Sequence, residues 1–172
     1  VNAEDFKRAD IRVQAKDVSS SVAGIIEEVR TRGDSAVIEY ERRFDGVELS
    51  ALEVSPEETE EALQAVGDEY IAMLERAAEN IRAFHGRQAR NGFMFSPKDG
   101  VILGQRVIPL RSVGLYVPGG TASYPSSVLM NAIPAKIAGC EEIVIATPPK
   151  IRHEILAAAH VAGVSRVFKM GG

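Results

Sequence analysis

Tyr116, Gly119 and Gly120, followed by Ser123, Ser126 and Ser127, lie within "VGLYVPGGTASYPSS", residues 113–127. These types suit binding chemistry: an aromatic ring with a hydroxyl, two residues without side chains, and three hydroxyl donors. A ligand can approach glycine backbone closely. The first turn of a following helix adds unpaired amides and the positive end of its dipole, so an anion such as a phosphate fits the corner. The same residues also make a plain structure, in which two glycines turn the chain and the serines cap the helix. "PGGTAS" is not the G-x-G-x-x-G fingerprint, and spacing alone leaves both readings standing. Tyr116 reads either as a ligand contact or as a core residue with its hydroxyl at the rim.

Other reactive side chains are sparse. His85, His153 and His160 are the only histidines and Cys140 the only cysteine, with no metal-binding spacing among them. The histidines read as surface or core-edge residues, and Cys140 as a buried, inert thiol. A lone cysteine rules out an internal disulfide framework and fits a reducing cytosol. The carboxylates at 57–61 read as a solvated helix start favoured by the dipole, not as an acid–base pair.

The elements that must hold the corner follow from pattern. From Val113 on, short β-branched runs alternate with helical segments: "VGLYV", 126–138, "EIVIAT", 151–162 and "VSRVFKM". The crossovers are long enough for parallel pairing, with right-handed connections placing helices against a mostly parallel sheet. "VPGG" then lies at the carboxyl end of a strand, where ligands collect in such sheets. Pro134 falls inside the first of these helices and should kink it or break its hydrogen-bond ladder.

The first hundred residues read as helices instead. Val22, Ile25, Ile26 and Val29 share a face, a serine run precedes them, and Gly33 stops the helix. Asp34 caps a second helix with Val37, Ile38, Tyr40 and Phe44 inside, ended by Gly46. "VELSALEV" (47–54) alternates weakly, as a short edge strand would. At 55–58, "SPEE" combines an N-cap serine, a proline at the first helical position and a glutamate placed to close a capping box. A long helix follows Gly67, with Tyr70, Leu74, Ala77, Ala78, Ile81 and Phe84 on one stripe. "GFMF" and "GVILGQRVIPL" then flank "SPKDG", which has hairpin-turn chemistry.

The chain of 172 residues is 45% hydrophobic and 26% charged, as in ordinary soluble domains. Its net charge of −4 divides unevenly: residues 1–100 hold 13 basic against 21 acidic side chains, and residues 101–172 hold 7 against 3. The basic second part favours an anionic ligand such as a dinucleotide, although an uneven solvated surface explains it equally. No basic cluster with interleaved aromatics points to nucleic acid. The longest charge-free stretch, 112–135, is broken early by Pro118, Gly119 and Gly120, so no membrane span is expected, and no secretory signal is read at the start.

"VGLYVPGG", "PSSVLMNAIPAKIAGCEEIVIATPP" and "AAHVAGVSRVFKMGG" together resemble the histidinol dehydrogenase family. "VRTRGDSAVIEYERRFDGV" and "AAENIRAFHGRQ" resemble its N-terminal region, and the similarity runs in order from about residue 18 to the last residue. The resemblance implies a zinc-dependent, cytoplasmic homodimer that oxidises L-histidinol to L-histidine through the aldehyde, reducing two NAD. It implies that Tyr116 contacts NAD and that Gly119, Gly120 and Ser126 line the site. The family's zinc ligands and its proton-handling Glu-His pair come later than "MGG". The expectation is therefore the N-terminal part of such an enzyme, with no catalytic or metal residue in this chain. The alternative is a stand-alone, non-catalytic module that binds a nucleotide or a partner.

The expected fold is α/β. A helical portion with a β-hairpin occupies residues 1–110, and the first part of a Rossmann-like βαβαβ domain occupies residues 111–172. With nothing after Gly172, the last strand is expected to have an unpaired edge and the sheet an uncovered apolar face.

Overall fold

The computed structural model describes residues 18–119 and 124–171. The chain divides into two compact units, residues 1–36 and 37–172. In the first, α1 (Ser19–Arg32) carries the expected apolar face and stops at Gly33, whose φ of 60° is a conformation that favours glycine. The serine run does not cap α1. The helix starts inside the run, with Val18 at the cap position and no side-chain hydrogen bond there. Helix α2 (Asp34–Phe44) begins in this unit and continues into the second. Phe44 was expected inside but is exposed. It is the last residue of α2, and it stacks on Tyr40 at 5.5 Å with Arg43 over its ring.

The second unit shows the local signals plainly. Helix α3 (Pro56–Val66) opens with a complete capping box: Ser55 Oγ accepts from the Glu58 amide at 3.2 Å, and Glu58 Oε2 accepts from the Ser55 amide at 2.9 Å. Two orphan donors are thereby satisfied reciprocally. Gly67, at φ 76°, separates α3 from α4 (Asp68–His85). Leu74 and Ala78 are buried, and Tyr70, Ala77 and Ile81 pack beside them. Phe84, expected on the same stripe, is exposed near the end of α4. Strands β1 (Phe93–Lys98) and β2 (Val101–Gln105) pair antiparallel as the expected hairpin, with an irregularity between Phe95 and Lys98 and Gly100 at φ 76° in the turn.

The parallel layer follows in the expected order: β3 (Ser112–Tyr116), α5 (Pro125–Ile137), β4 (Glu142–Thr147), α6 (His153–Ala162) and β5 (Arg166–Lys169). The strands lie side by side as β3-β4-β5, parallel, with Leu115 opposite Ile145 and Ile145 opposite Val167. The fold is mixed α/β as expected. Because the strands advance in one direction, crossovers of one hand put α5 and α6 on the same face, where the two helices pack on each other. Side chains alternate between faces of a strand. Val113, Leu115, Val117, Ile143 and Ile145 point to the helices, and Val117, Ile143 and Ile145 are fully buried with Val128, Leu129 and Ile133 of α5. Helix α6 runs Ala157, Ala158, Ala159, Ala162, and these small side chains let it pack against α3, α4 and α5 at once. Helix α5 passes through Pro134 without ending.

The edge of β5 differs from expectation. Leu52–Val54 add an antiparallel bridge to it: the Val54 amide donates to Val167 at 2.9 Å and the Lys169 amide to Leu52 at 2.7 Å. "VELSALEV" thus contributes a bridge at Glu53, not a full strand, and it covers the edge that was expected to be open. Arg166 fastens the bridge by a two-pronged ion pair to Glu53, at 2.9 and 2.7 Å, while lying over the Phe168 ring.

Candidate functional site

The carboxyl ends of β3, β4 and β5 stand together because the parallel register aligns them. The row Tyr116–Ala146–Phe168 crosses all three strands on the face opposite α5 and α6. Beyond the row, the Val117 amide donates to Ala146 at 2.9 Å and the Met170 amide to Thr147 at 2.8 Å, so the chain leaving β3 and the chain leaving β5 both start anchored to β4.

Tyr116 is 52% exposed. The core reading of this residue therefore fails: odd-numbered β3 residues fill the core, and Tyr116 falls on the other side. Its ring is available to a ligand at the strand end. Gly119 has a specific reason to lack a side chain, since a Cβ there would sit 3.0–3.2 Å from the ring carbons of Pro148. The glycine lets the β3 loop lie flush on the β4 loop. Gly120 and Ser123 lie outside the described residues. Ser126 is exposed in the first turn of α5, a turn that contains no acidic residue, and no side chain caps the helix. The positive end of the α5 dipole is thus left uncompensated within its own first turn, which suits an anion. Of the two readings of the serines, capping is not seen at Ser126 or Ser127, which lie inside the helix after Tyr124 at the cap position.

The remaining candidates lie elsewhere. His85 Nδ1 is 2.6 Å from Gln88 Oε1, and His153 and His160 are exposed on α6. Cys140 is buried. His85, Pro134 and Cys140 share the wall of a groove of about 640 Å³ that also includes Arg90, Pro109 and Leu110. Among the described residues no group of three or more His, Cys, Asp or Glu gathers to hold a metal ion, and no helix is long and apolar enough to cross a membrane.

Sequence reasoning missed two acidic residues near the strand ends. Glu58 does more than cap α3: its Oε1 lies 2.5 Å from Lys169 Nζ, tying the helix to β5. Burial of the Glu58 carboxyl acts to raise its pKa, but the bonds from Lys169 and the Ser55 amide prevail and hold it below its ordinary value. Glu41 is buried on α2 and accepts from the Gly171 amide. Its four-residue spacing from Asp45 was the one available signal.

The profile of the histidinol dehydrogenase family matches residues 8–172. This chain belongs to that family. A histidinol dehydrogenase of Syntrophotalea carbinolica is 53% identical over 160 residues, covering 90% of this chain and 37% of that protein. The one from Methanosarcina mazei is 50% identical over 161 residues, covering 91% and 37%. The crystal structure of the histidinol dehydrogenase from Elizabethkingia anophelis superposes with a TM-score of 0.87 at 36% identity, over 92% of this chain and 37% of that one. The chain thus spans about 37% of the length of these relatives. The family fold is present here over the helices, hairpin and parallel layer described above.

Proposed function

We propose that this chain forms one wall of the NAD site of an enzyme that oxidises L-histidinol to L-histidine, the reaction to which the family's name points. In this reading residues 111–172 begin the NAD-binding domain and residues 1–110 form the helical portion beside it. Tyr116, Gly119, Gly120 and Ser126 line the cofactor. The observation that carries the reading is Tyr116, half-exposed at the carboxyl end of a parallel strand, on the row that crosses all three strands.

When bound, NAD takes up the hydride that leaves the substrate's carbon. What these residues do is bind and orient. The Tyr116 ring offers a flat apolar surface with a hydroxyl at its tip. Gly119, flush on Pro148, keeps the loop low beside that ring. The first turn of α5 at Ser126 presents amides and a positive field to a pyrophosphate. Zinc does not fit the residues described here, since no cluster of ligands gathers among them. Homodimerisation and a cytoplasmic setting belong to the same proposal.

The test is Tyr116→Ala in the full-length protein. Losing a stacking or hydroxyl contact costs about 1–2 kcal/mol, so the Michaelis constant for NAD should rise roughly five- to thirtyfold and that for histidinol far less. An unchanged NAD constant with a lower melting temperature would make Tyr116 a structural residue only.

A further inference from the structure

Glu41 is only 4% exposed, although it lies in the charge-rich run "EYERRFD". Helices normally turn such residues outward, because a buried carboxylate without partners is costly. Its Oε1 accepts from the Gly171 amide at 2.8 Å across 130 residues of sequence, and its Oε2 is buried without a hydrogen-bond partner. Gly171 sits just past β5, at the carboxyl end of the sheet where Tyr116 ends β3 and Gly119 follows in its loop.

The geometry around Gly171 is crowded by carboxyl oxygens. A Cβ on Gly171 would stand 2.5 Å from Asp45 Oδ2 and 3.4 Å from Glu41 Oε2. Asp45 is one turn after Glu41, on the same side of the chain. Two carboxyl groups thus flank Gly171: Glu41 Oε1 takes its amide hydrogen bond, and Asp45 Oδ2 fills the space where a side chain would start. Burial pushes the Glu41 pKa up, against the Gly171 amide, which lowers it; the neighbouring Asp45 carboxyl pushes it up further.

We propose that Glu41 is a positioning residue. With Asp45 beside it, its carboxyl holds the Gly171 amide and so fixes the chain leaving β5 at the ligand end of the sheet. The consequence for the cofactor rests on the NAD-site reading above: a loop held at Gly171 completes the strand-end wall that Tyr116 begins on β3. Glutamine keeps an acceptor for the Gly171 amide and offers Asp45 a donor, so Glu41→Gln preserves the latch, whereas Glu41→Ala removes it.

The experiment compares Glu41→Ala, Glu41→Gln and Tyr116→Ala in the full-length protein, measuring the NAD dissociation constant and amide hydrogen exchange. Glu41→Ala should speed exchange at Gly171 while leaving Ile145 in β4 protected, and should weaken NAD about tenfold, as loss of one buried hydrogen bond does. Glu41→Gln should restore both to near the parent values. Unchanged exchange at Gly171 in Glu41→Ala, or a glutamine variant as impaired as the alanine one, overturns the inference. If Tyr116→Ala weakens NAD and Glu41→Ala does not, the inference fails and the NAD-site reading stands. If neither weakens NAD while Gly171 exchange speeds up in Glu41→Ala, the latch stands and the NAD-site reading fails.

Discussion

Strand β4 and the β1–β2 hairpin are built from similar apolar residues and end in opposite surroundings. In β4, buried and partly buried positions alternate, and Ile143 and Ile145 are fully buried. In β1 every residue is exposed, and in β2 all but Val101 are, although the two strands include Phe93, Met94, Phe95, Ile102 and Leu103. The cause lies in the connections. Parallel neighbours cannot be joined by a tight turn, so the chain must supply a crossover helix, and that helix is the cover for one face. An antiparallel pair closes with the short turn around Gly100, and nothing in that connection brings a cover with it. Strand propensity predicted both regions correctly, and burial depended on what the connection carried.

The largest expected effect follows directly. Ile145→Ala removes buried methyl and methylene groups from the middle of the sheet and should lower the unfolding free energy of this chain by about 3 kcal/mol, within the 2–5 kcal/mol range for such truncations. Phe95→Ala removes more atoms but from an exposed position, and should cost less than about 1 kcal/mol. Urea denaturation of the two variants side by side decides the matter. Equal losses would break the contrast between the regions.

What the sequence revealed follows the range of the interactions. The capping box at Ser55–Glu58 was fully legible because all its partners lie within four residues. The hairpin turn and the alternation of strands and helices after Val113 were legible for the same reason. Phe44 and Phe84 were misplaced because periodicity names a face without saying how far along the helix its cover extends; both lie at or next to the last residue of their helices. The Glu53 bridge to Phe168 and the grip of Glu41 on Gly171 were invisible, since each joins residues more than a hundred positions apart. For the candidate site, local spacing left Tyr116 between core and ligand contact. Only the alternation realised in β3, with Val113, Leu115 and Val117 inward, put it on the open side.

The next effects sharpen the comparison at the rim of the buried layer, where α3 is tied to β5. Ser55→Ala removes one half of the capping box and should cost about 1 kcal/mol by thermal or urea unfolding. Glu58→Gln removes the charge facing Lys169. About 43% of the Glu58 side chain stays exposed, so solvent screening should limit the loss near pH 7 to under about 1 kcal/mol. Because the folded protein holds the Glu58 pKa below its ordinary 4.5, the parent gains this stability fully above that value and loses it as pH falls further. The gap between parent and Glu58→Gln should therefore close on acidification below about pH 4.5. A gap that persists unchanged at pH 3 would show that the Lys169 contact contributes nothing.

The smallest expected effect lies in the hairpin and tests the comparison from the other side. Met94 and Ile102 are 78% and 73% exposed, the highest values among the large apolar residues of β1 and β2. Threonine keeps the β-branched shape that a pleated strand favours while replacing apolar surface by a hydroxyl, so it changes exposure chemistry with little change in strand propensity. Ile102→Thr is the cleaner of the two, because it preserves branching at Cβ. Met94 faces Gly104 across the pair, so no directly opposite side chain loses a contact when it is replaced. If burial follows connection, each substitution should move the unfolding midpoint of this chain by no more than about 0.5 kcal/mol in equivalent stability, the range for surface changes. A loss approaching that of Ile145→Ala would mean that the hairpin is packed in solution against something that shields it, and the difference between the two regions would then be one of partner and not of connection.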